Sequence, residues 1–285
     1  MSLLGPVDPG HADEAAWLTK WHLRPDGEAR TTPTSRILPV RTEDGRPAVF
    51  KLAHEAEEAR GAALLDALDG RGAARVMRRD GRALLLERAG GPGDLVAMVQ
   101  RGDDDGASRI LCDVAERIHA ETDRVLGREA PPDLVGLETW FAQLFARADD
   151  LGPVHRAGAD LARRRLDERR APVVLHGDLH HGNVLDFGER GWLAIDPKAL
   201  LGDAEFDVCN LLCNPSHERA LAPGRLARQF GVVVRATGFS PRRVRDWLIA
   251  WCALSSTWFA IDDRPERASS AARIGEVAAG LPVES

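Results

Sequence analysis

The segment Val173–Pro197, VVLHGDLHHGNVLDFGERGWLAIDP, restricts this chain more than any other stretch. Its apolar opening, Val173-Val174-Leu175, has the character of a buried strand and runs into His176-Gly177-Asp178-Leu179. Asn183 comes five residues after Asp178, and thirteen residues later a second apolar run, Leu193-Ala194-Ile195, ends in Asp196. Strand-like pieces at Val184–Phe187 and Trp192–Ile195 flank the glycines between them. Two carboxylates and an amide therefore sit at the ends of short strands, where rigid backbone can hold polar groups at one edge.

The protein-kinase signature H-R-D-L-x-x-x-N, followed by D-F-G on a short strand, has the same skeleton. Phosphoryl transfer explains the residue types. It needs a carboxylate to accept the proton of the attacking hydroxyl, and oxygen ligands that fix magnesium against the nucleotide phosphates. Asp178 suits the first task, and Asn183 and Asp196 suit the second as hard oxygen donors. Two departures point away from a regulated protein kinase: Gly177 stands where those enzymes have Arg, and Pro197 where they have the aromatic of D-F-G. The string from His176 to Asn183, continued by Ala194-Ile195-Asp196-Pro197-Lys198, resembles the aminoglycoside phosphotransferase superfamily. With Glu205-Phe206-Asp207 and Asn210–Pro215 added, it is similar to the streptomycin 6-kinase and hydroxyurea phosphotransferase branch. The likeness covers roughly residues 35–215 and is strongest from Leu175 to Pro215.

That resemblance implies an ATP-dependent small-molecule O-phosphotransferase that inactivates an antibiotic and uses ATP and Mg2+. It also implies roles elsewhere. Lys51, on the strand Val49-Phe50-Lys51, matches the lysine that contacts the α- and β-phosphates. Its partner is a glutamate on the next helix: Glu58 is chosen here, with Glu55 and Glu57 as alternatives. Glu87 and Ala89 fall where backbone groups between the lobes bind adenine. A phosphate-covering glycine loop is replaced by Gly27–Arg36, GEARTTPTSR, whose Thr31, Thr32, Thr34 and Ser35 offer hydroxyl and backbone donors. His176 and Asp207 are expected to brace the loop, His180 or His181 to lie near the phosphate, and Lys198 to face the γ-phosphate or substrate or else a structural partner. The implied substrate is a small molecule, streptomycin or another cationic aminocyclitol, with hydroxyurea as the other branch acceptor. A nucleotide-binding pseudokinase-like module and a kinase of another hydroxylated metabolite are the alternatives. Against the pseudokinase, the base, both metal ligands and the lysine are all retained. A metallohydrolase built on His176, Asp178, His180 and His181 would lack a second histidine cluster.

Composition sharpens this in one respect. Of 38 basic residues only Lys20, Lys51 and Lys198 are lysines, so Lys51 and Lys198 stand out as places where a compact ammonium is required. The net charge of −6, with no basic patch, argues against nucleic acid as a partner. No apolar run approaches the roughly 20 residues that span a bilayer and no leader pattern precedes His11, so a cytoplasmic, non-membrane protein is expected. Cys112, Cys209, Cys213 and Cys252 fit that compartment as packing residues, with half a metal site at Cys209 and Cys213 the less favoured reading.

Pattern along the chain predicts an α+β, two-lobed protein-kinase-like fold. Residues 1–90 form a small β-rich nucleotide-binding lobe: a helix at His11–Trp21, a hairpin of Ser35–Val40 and Pro47–Leu52, a helix at Glu55–Leu68, and strands at Ala73–Met77 and Arg82–Leu86. Residues 91–285 form a larger α-helical lobe, with helices at Ile110–His119, Leu137–Ala148 and Gly158–Arg169 and again beyond Glu205. Gly90-Gly91-Pro92-Gly93 is expected to hinge the two. Trp247, Trp251 and Trp258 read as a core stripe, and Asp262 and Asp263 as a solvated helix end.

Overall fold

The computed structural model describes residues 9–54, 56–168 and 170–283. Helix α1 (Pro9–Lys20) leads into β1 (Arg24–Pro25), β2 (Arg30–Thr31), β3 (Ser35–Arg41) and β4 (Pro47–Ala53), then α2 (Ala56–Leu68), β5 (Val76–Asp80) and β6 (Ala83–Glu87). These strands make one antiparallel sheet in the order β1-β3-β4-β6-β5, with β2 also on β3. Alternation along β4 decides what faces what. Phe50 and Leu52 enter a small core with Trp21, Leu38, Val40 and Leu85, while Lys51, one residue out of phase, meets α2 on the opposite face.

The remainder is mainly helical: α3 (Leu95–Gln100), α4 (Asp104–His119), α5 (Thr122–Leu126), β7 (Val135–Gly136), α6 (Leu137–Trp140), α7 (Ala142–Leu151) and α8 (Pro153–Asp167). Then come β8 (Val173–Leu175), β9 (Val184–Asp186), β10 (Trp192–Ala194) and β11 (Leu200–Gly202). Helices α9 (Ala204–Asp207), α10 (Cys209–Leu212), α11 (His217–Ala220), α12 (Arg225–Thr237), α13 (Pro241–Ile261) and α14 (Pro265–Ala279) close the chain. Asp94 and Asp103 cap α3 and α4 by accepting backbone N–H groups. Two small ladders, β9 with β10 and β7-β11-β8, lie among these helices. Among the described residues no helix is long and apolar enough to cross a membrane.

The structure departs from expectation at residues 73–77 and 90–93, and it shows how α2 is joined to the helical part. The run Ala73–Met77 divides: β5 begins at Val76, and Ala73–Ala74 instead bond to Ala194 beside β10, with Ala74 N to Ala194 O at 2.8 Å. Leu64, Leu65 and Leu68 of α2 share one core with Leu111 and Ile118 of α4, so α2 and the helical part are fused by apolar packing. Two of the glycines in residues 90–93 serve close packing rather than conformational freedom. Gly91 and Gly93 lie directly against the Asp186 carboxylate, where any side chain would collide, and Gly93 N donates to Asp186 at 2.9 Å. They permit close approach and tie the connecting segment to β9.

The cysteines are all buried. Cys213 and Cys252 bring their sulfurs to 3.8 Å, and Cys209 donates to the Glu205 carbonyl. Burial pushes the Cys209 thiol well above its ordinary pKa, so it packs as a neutral apolar side chain.

Candidate active site

Strand β8 ends where the loop His176–Asn183 begins, and a buried carboxylate holds that loop from beneath. Asp207, at the end of α9, accepts from His176 N at 2.9 Å and Gly177 N at 2.7 Å, and binds the His119 ring at 3.0 Å. Burial alone would raise its pKa, but the His119 bond, the neighbouring imidazoles and the Gly177 amide outweigh that, and the net direction is down. His176 is fully buried. Its Nε2 donates to the Ile195 carbonyl at 2.8 Å, and its Nδ1 accepts from Asp178 N at 3.1 Å. Both ring nitrogens are therefore engaged within the protein, which removes His176 from any metal site. Gly177 sits at φ +82°, a left-handed conformation that an Arg would resist.

The β9–β10 ladder brings the other polar ends to this loop. Asn183 precedes β9 and Asp196 lies two residues beyond the end of β10, and Ile195 N donates to Asn183 O at 2.8 Å. Asn183 Nδ2 donates to the Asp178 carbonyl at 2.9 Å and to its Oδ2 at 3.2 Å, which leaves the amide oxygen facing elsewhere. Asp196 adopts φ +56°, a left-handed geometry that Asp tolerates better than most residues.

Lys51 bridges the two parts of the molecule. Its ammonium pairs with Glu58 of α2 and with Asp196 Oδ1, the latter at 2.7 Å. Of the three glutamates considered, Glu58 is the one that meets Lys51. Glu57 instead pairs with Lys198 at 2.6 Å, and Glu55 lies outside the described residues. Burial works against the Lys198 charge, but the Glu57 bond and its charge dominate and raise the pKa. Helix α2 is held close because Gly61 lies directly beneath the Pro197 carbonyl, where an added methyl would overlap it.

The segment expected to cover phosphates is a tight turn between β2 and β3. Thr32 N donates to Ser35 O at 2.8 Å, and the Ser35 hydroxyl, buried, turns to Thr32 Oγ1 at 3.1 Å. The hydroxyl of Ser35 is therefore occupied in shaping the turn, and Thr34 reaches Glu58 at 2.9 Å. Glu87 spends its carboxylate on Arg190 and on Arg75 N, so any contact of Glu87 with a nucleotide falls to its backbone, as it does for Ala89.

Asp178 opens on a cleft of about 1100 Å³. His180, Lys198 and Asn210 line it near the loop, and Trp140, Trp251, Trp258 and Phe259 form an aromatic wall. The tryptophan stripe is core as expected, with Trp247 and Trp251 buried and Trp258 packed against them, and Trp251 and Trp258 also line the cleft. The two aspartates split, Asp262 facing the cleft and Asp263 a separate shallow depression. Glu218 and Glu266 add carboxylates to the cleft. Burial lowers the pKa of His180 and of His217, so both tend to be neutral, and the free charge of the cleft is negative on balance. His181 points into the protein rather than the cleft. Burial, followed by the charge of Arg225, pulls its pKa to about 4. These cleft residues are not identifiable as a group from the sequence, because they come from several helices and loops far apart in the chain.

The family described as aminoglycoside/hydroxyurea antibiotic resistance kinase matches residues 20–263. A streptomycin 3''-kinase of Klebsiella pneumoniae is 47% identical over 247 residues, covering 85% of this chain and 90% of that protein. A hydroxyurea phosphotransferase of Kitasatospora aureofaciens is 32% identical, covering 93% and 78%. Among solved structures, aminoglycoside phosphotransferase APH(4)-Ia superposes with a TM-score of 0.67 at 15% identity, over 95% of this chain and 99% of that one. The fold is thus the two-lobed, kinase-like fold of the aminoglycoside phosphotransferases.

Proposed function

This chain belongs to the aminoglycoside/hydroxyurea antibiotic resistance kinase family, and from that premise we propose that it transfers the γ-phosphate of ATP to the 3''-hydroxyl of streptomycin. The reaction class follows from the family: the chain is an ATP-dependent phosphotransferase acting on a small-molecule hydroxyl. The observation that carries the acceptor is a relative at 47% identity that acts on that position. The cleft beside Asp178 supports it independently. Glu218, Asp262 and Glu266 suit a substrate bearing guanidinium groups, and the aromatic wall offers faces on which such planar cations stack.

In this reading the acceptor hydroxyl lies against Asp178, which takes its proton as the oxygen attacks the γ-phosphorus. The bond to the β-bridging oxygen breaks and its electron pair leaves with ADP. Lys51, steadied by Glu58, holds the α- and β-phosphates, and the backbone at Glu87 and Ala89 receives adenine. The residues present suit Mg2+. The amide oxygen of Asn183 is left free by the bonds its nitrogen makes, and Asp196 keeps one carboxylate oxygen beyond Lys51. Two protein oxygens plus phosphates are a usual set for that ion. When bound, it offsets the charge of the phosphates.

Incubating the protein with ATP and streptomycin is expected to yield one monophosphorylated product, with phosphorus located on the 3''-oxygen by two-dimensional NMR. Hydroxyurea is expected to give no product above background. Phosphate on the 6-oxygen would overturn the assigned position, and turnover of hydroxyurea alone would overturn the acceptor. A further expectation concerns α2. Gly61→Val should push α2 off Pro197 and misplace Glu58 and Lys51, lowering kcat/KM about 10²-fold by a loss that appears in KM for ATP. An unchanged KM for ATP would show that α2 does not control nucleotide binding.

A further inference from the structure

The carboxylate of Asp178 is gripped by two amides, and the grips are unequal. Asn183 Nδ2 reaches Oδ2 at 3.2 Å while sharing itself with the Asp178 carbonyl. Asn210 Nδ2, from α10, donates to Oδ1 at 2.7 Å. An amide has a donor end and an acceptor end, and a carboxylate only accepts, so this bond exists in one of the two orientations of Asn210. That orientation is set from behind. Asn214 Nδ2 donates to Asn210 Oδ1 and to Asn210 O, each at 2.9 Å. The Asn214 carbonyl in turn accepts from Arg225 Nη2 at 2.9 Å, and Arg225 is doubly bonded to buried Asp104 at 2.7 and 2.8 Å. A buried ion pair between α4 and α12 thus anchors the backbone of Asn214, whose side-chain amide orients that of Asn210, which holds the carboxylate.

We infer that Asn210 is a positioning residue for phosphoryl transfer: it pins Oδ1 of Asp178 so that Oδ2 is the oxygen presented to the acceptor, and Asn214 keeps the Asn210 amide turned the required way. This rests on the reading of Asp178 as the base. Without Asn210 the carboxylate is free to turn about its last torsion, which is broad for Asp, and Oδ2 loses its fixed direction. The long, shared bond from Asn183 does not restrain it, whereas a charge-assisted bond of 2.7 Å does.

Asn210→Leu keeps a similar volume without a donor. It is expected to lower kcat about 10- to 100-fold while the KM values for ATP and acceptor stay within about threefold. Asn214→Ala should lower kcat less, in the same way, and the double variant should be no slower than Asn210→Leu, because Asn214 acts through Asn210. If Asn210→Leu does not fold, Asn210→Ala, which also lacks a donor, carries the same expectation. A second measurement needs no acceptor. In 15N–1H spectra of the full chain, the Asn210 side-chain amide, identified by its loss in the variant, should shift when Asp178 is replaced by alanine. The inference is overturned by unshifted Asn210 signals, by kcat within about twofold of native, or by a loss confined to acceptor KM. Absence of streptomycin turnover with the amide shift intact would instead sink the acceptor reading. The kinetic comparison would then use whichever hydroxylated acceptor the native protein does phosphorylate.

Discussion

Asp178→Ala is expected to lower kcat for streptomycin phosphorylation by about 10²- to 10⁴-fold, with the affinity for ATP changed little. The physical reason is scarcity of a free base. Near the loop, Glu57 is paired with Lys198, and Asp196 and Glu58 are paired with Lys51. Among the described carboxylates there, Asp178 alone is bonded by neutral amides and opens on the cleft. His180 is no substitute, since its Nδ1 accepts from Gly182 N and its Nε2 stands 3.9 Å from Asp178. Asp178→Asn would be no milder, because two amide donors would then face a third. Single-turnover transfer from labelled ATP, with nucleotide binding measured by calorimetry, separates the two effects. Transfer at more than a tenth of the native rate would remove Asp178 from the role of base.

Much of this site could be read along the chain because its parts are close in sequence. Asp178, Asn183 and Asp196 fall within one strand-loop-strand segment, and the β9–β10 ladder has no freedom to separate them. Lys51 could be found 145 residues away from Asp196 only through its strand context and the rarity of lysine. Choosing between Glu57 and Glu58 was harder, since neighbours on a helix point about 100° apart and nothing local says which side faces the sheet. In the structure, Gly61 resolves the matter: its contact with Pro197 sets the rotation of α2. Glycine content alone cannot distinguish close approach from flexibility: the pattern at residues 90–93 suggests a hinge, whereas Gly91 and Gly93 are packing positions against Asp186.

The acceptor cleft was not legible for a different reason. Its walls come largely from α6, α11, α13, α14 and the segments beside them; in α13 the cleft-facing Trp251 and Trp258 continue the apolar stripe that builds the core, whereas α11 and α14 contribute polar residues such as Glu218 and Glu266. Trp251 and Trp258 are seven apart on α13, so a periodicity argument makes them equivalent to Trp247, yet only two of the three reach the cleft. Which part of a stripe is core and which is wall depends on where neighbouring helices end. Asn210 and Asn214 are the same case for polar groups. They occur at helical spacing beside two cysteines and a leucine pair, and their meaning comes from Asp178, more than thirty residues upstream.

Asp207→Ala is expected to cost about 3–5 kcal/mol of stability and to lower the thermal midpoint by roughly 6–20 °C. The residue is fully enclosed, and its removal leaves the amides of His176 and Gly177 and the His119 ring without their acceptor. Asp207→Asn should recover little, because an amide nitrogen would replace one of the two accepting oxygens and face a donor. The dependence on pH has a definite sign. The folded-state pKa of Asp207 lies below the ordinary 3.8, so the carboxylate stabilises the fold fully above that value. The contribution is lost only as pH falls through the depressed folded value. Against the non-titrating Asp207→Asn chain, the native advantage in denaturant melts should therefore be flat from neutrality down to about one unit above 3.8. It should close only at lower pH. An advantage that shrinks between pH 7 and 5 would mean that Asp207 does not hold the loop as a carboxylate. Because the same two amides fix the backbone that carries Asp178, any of the Asn variant that folds should also show a lower kcat with nucleotide binding retained.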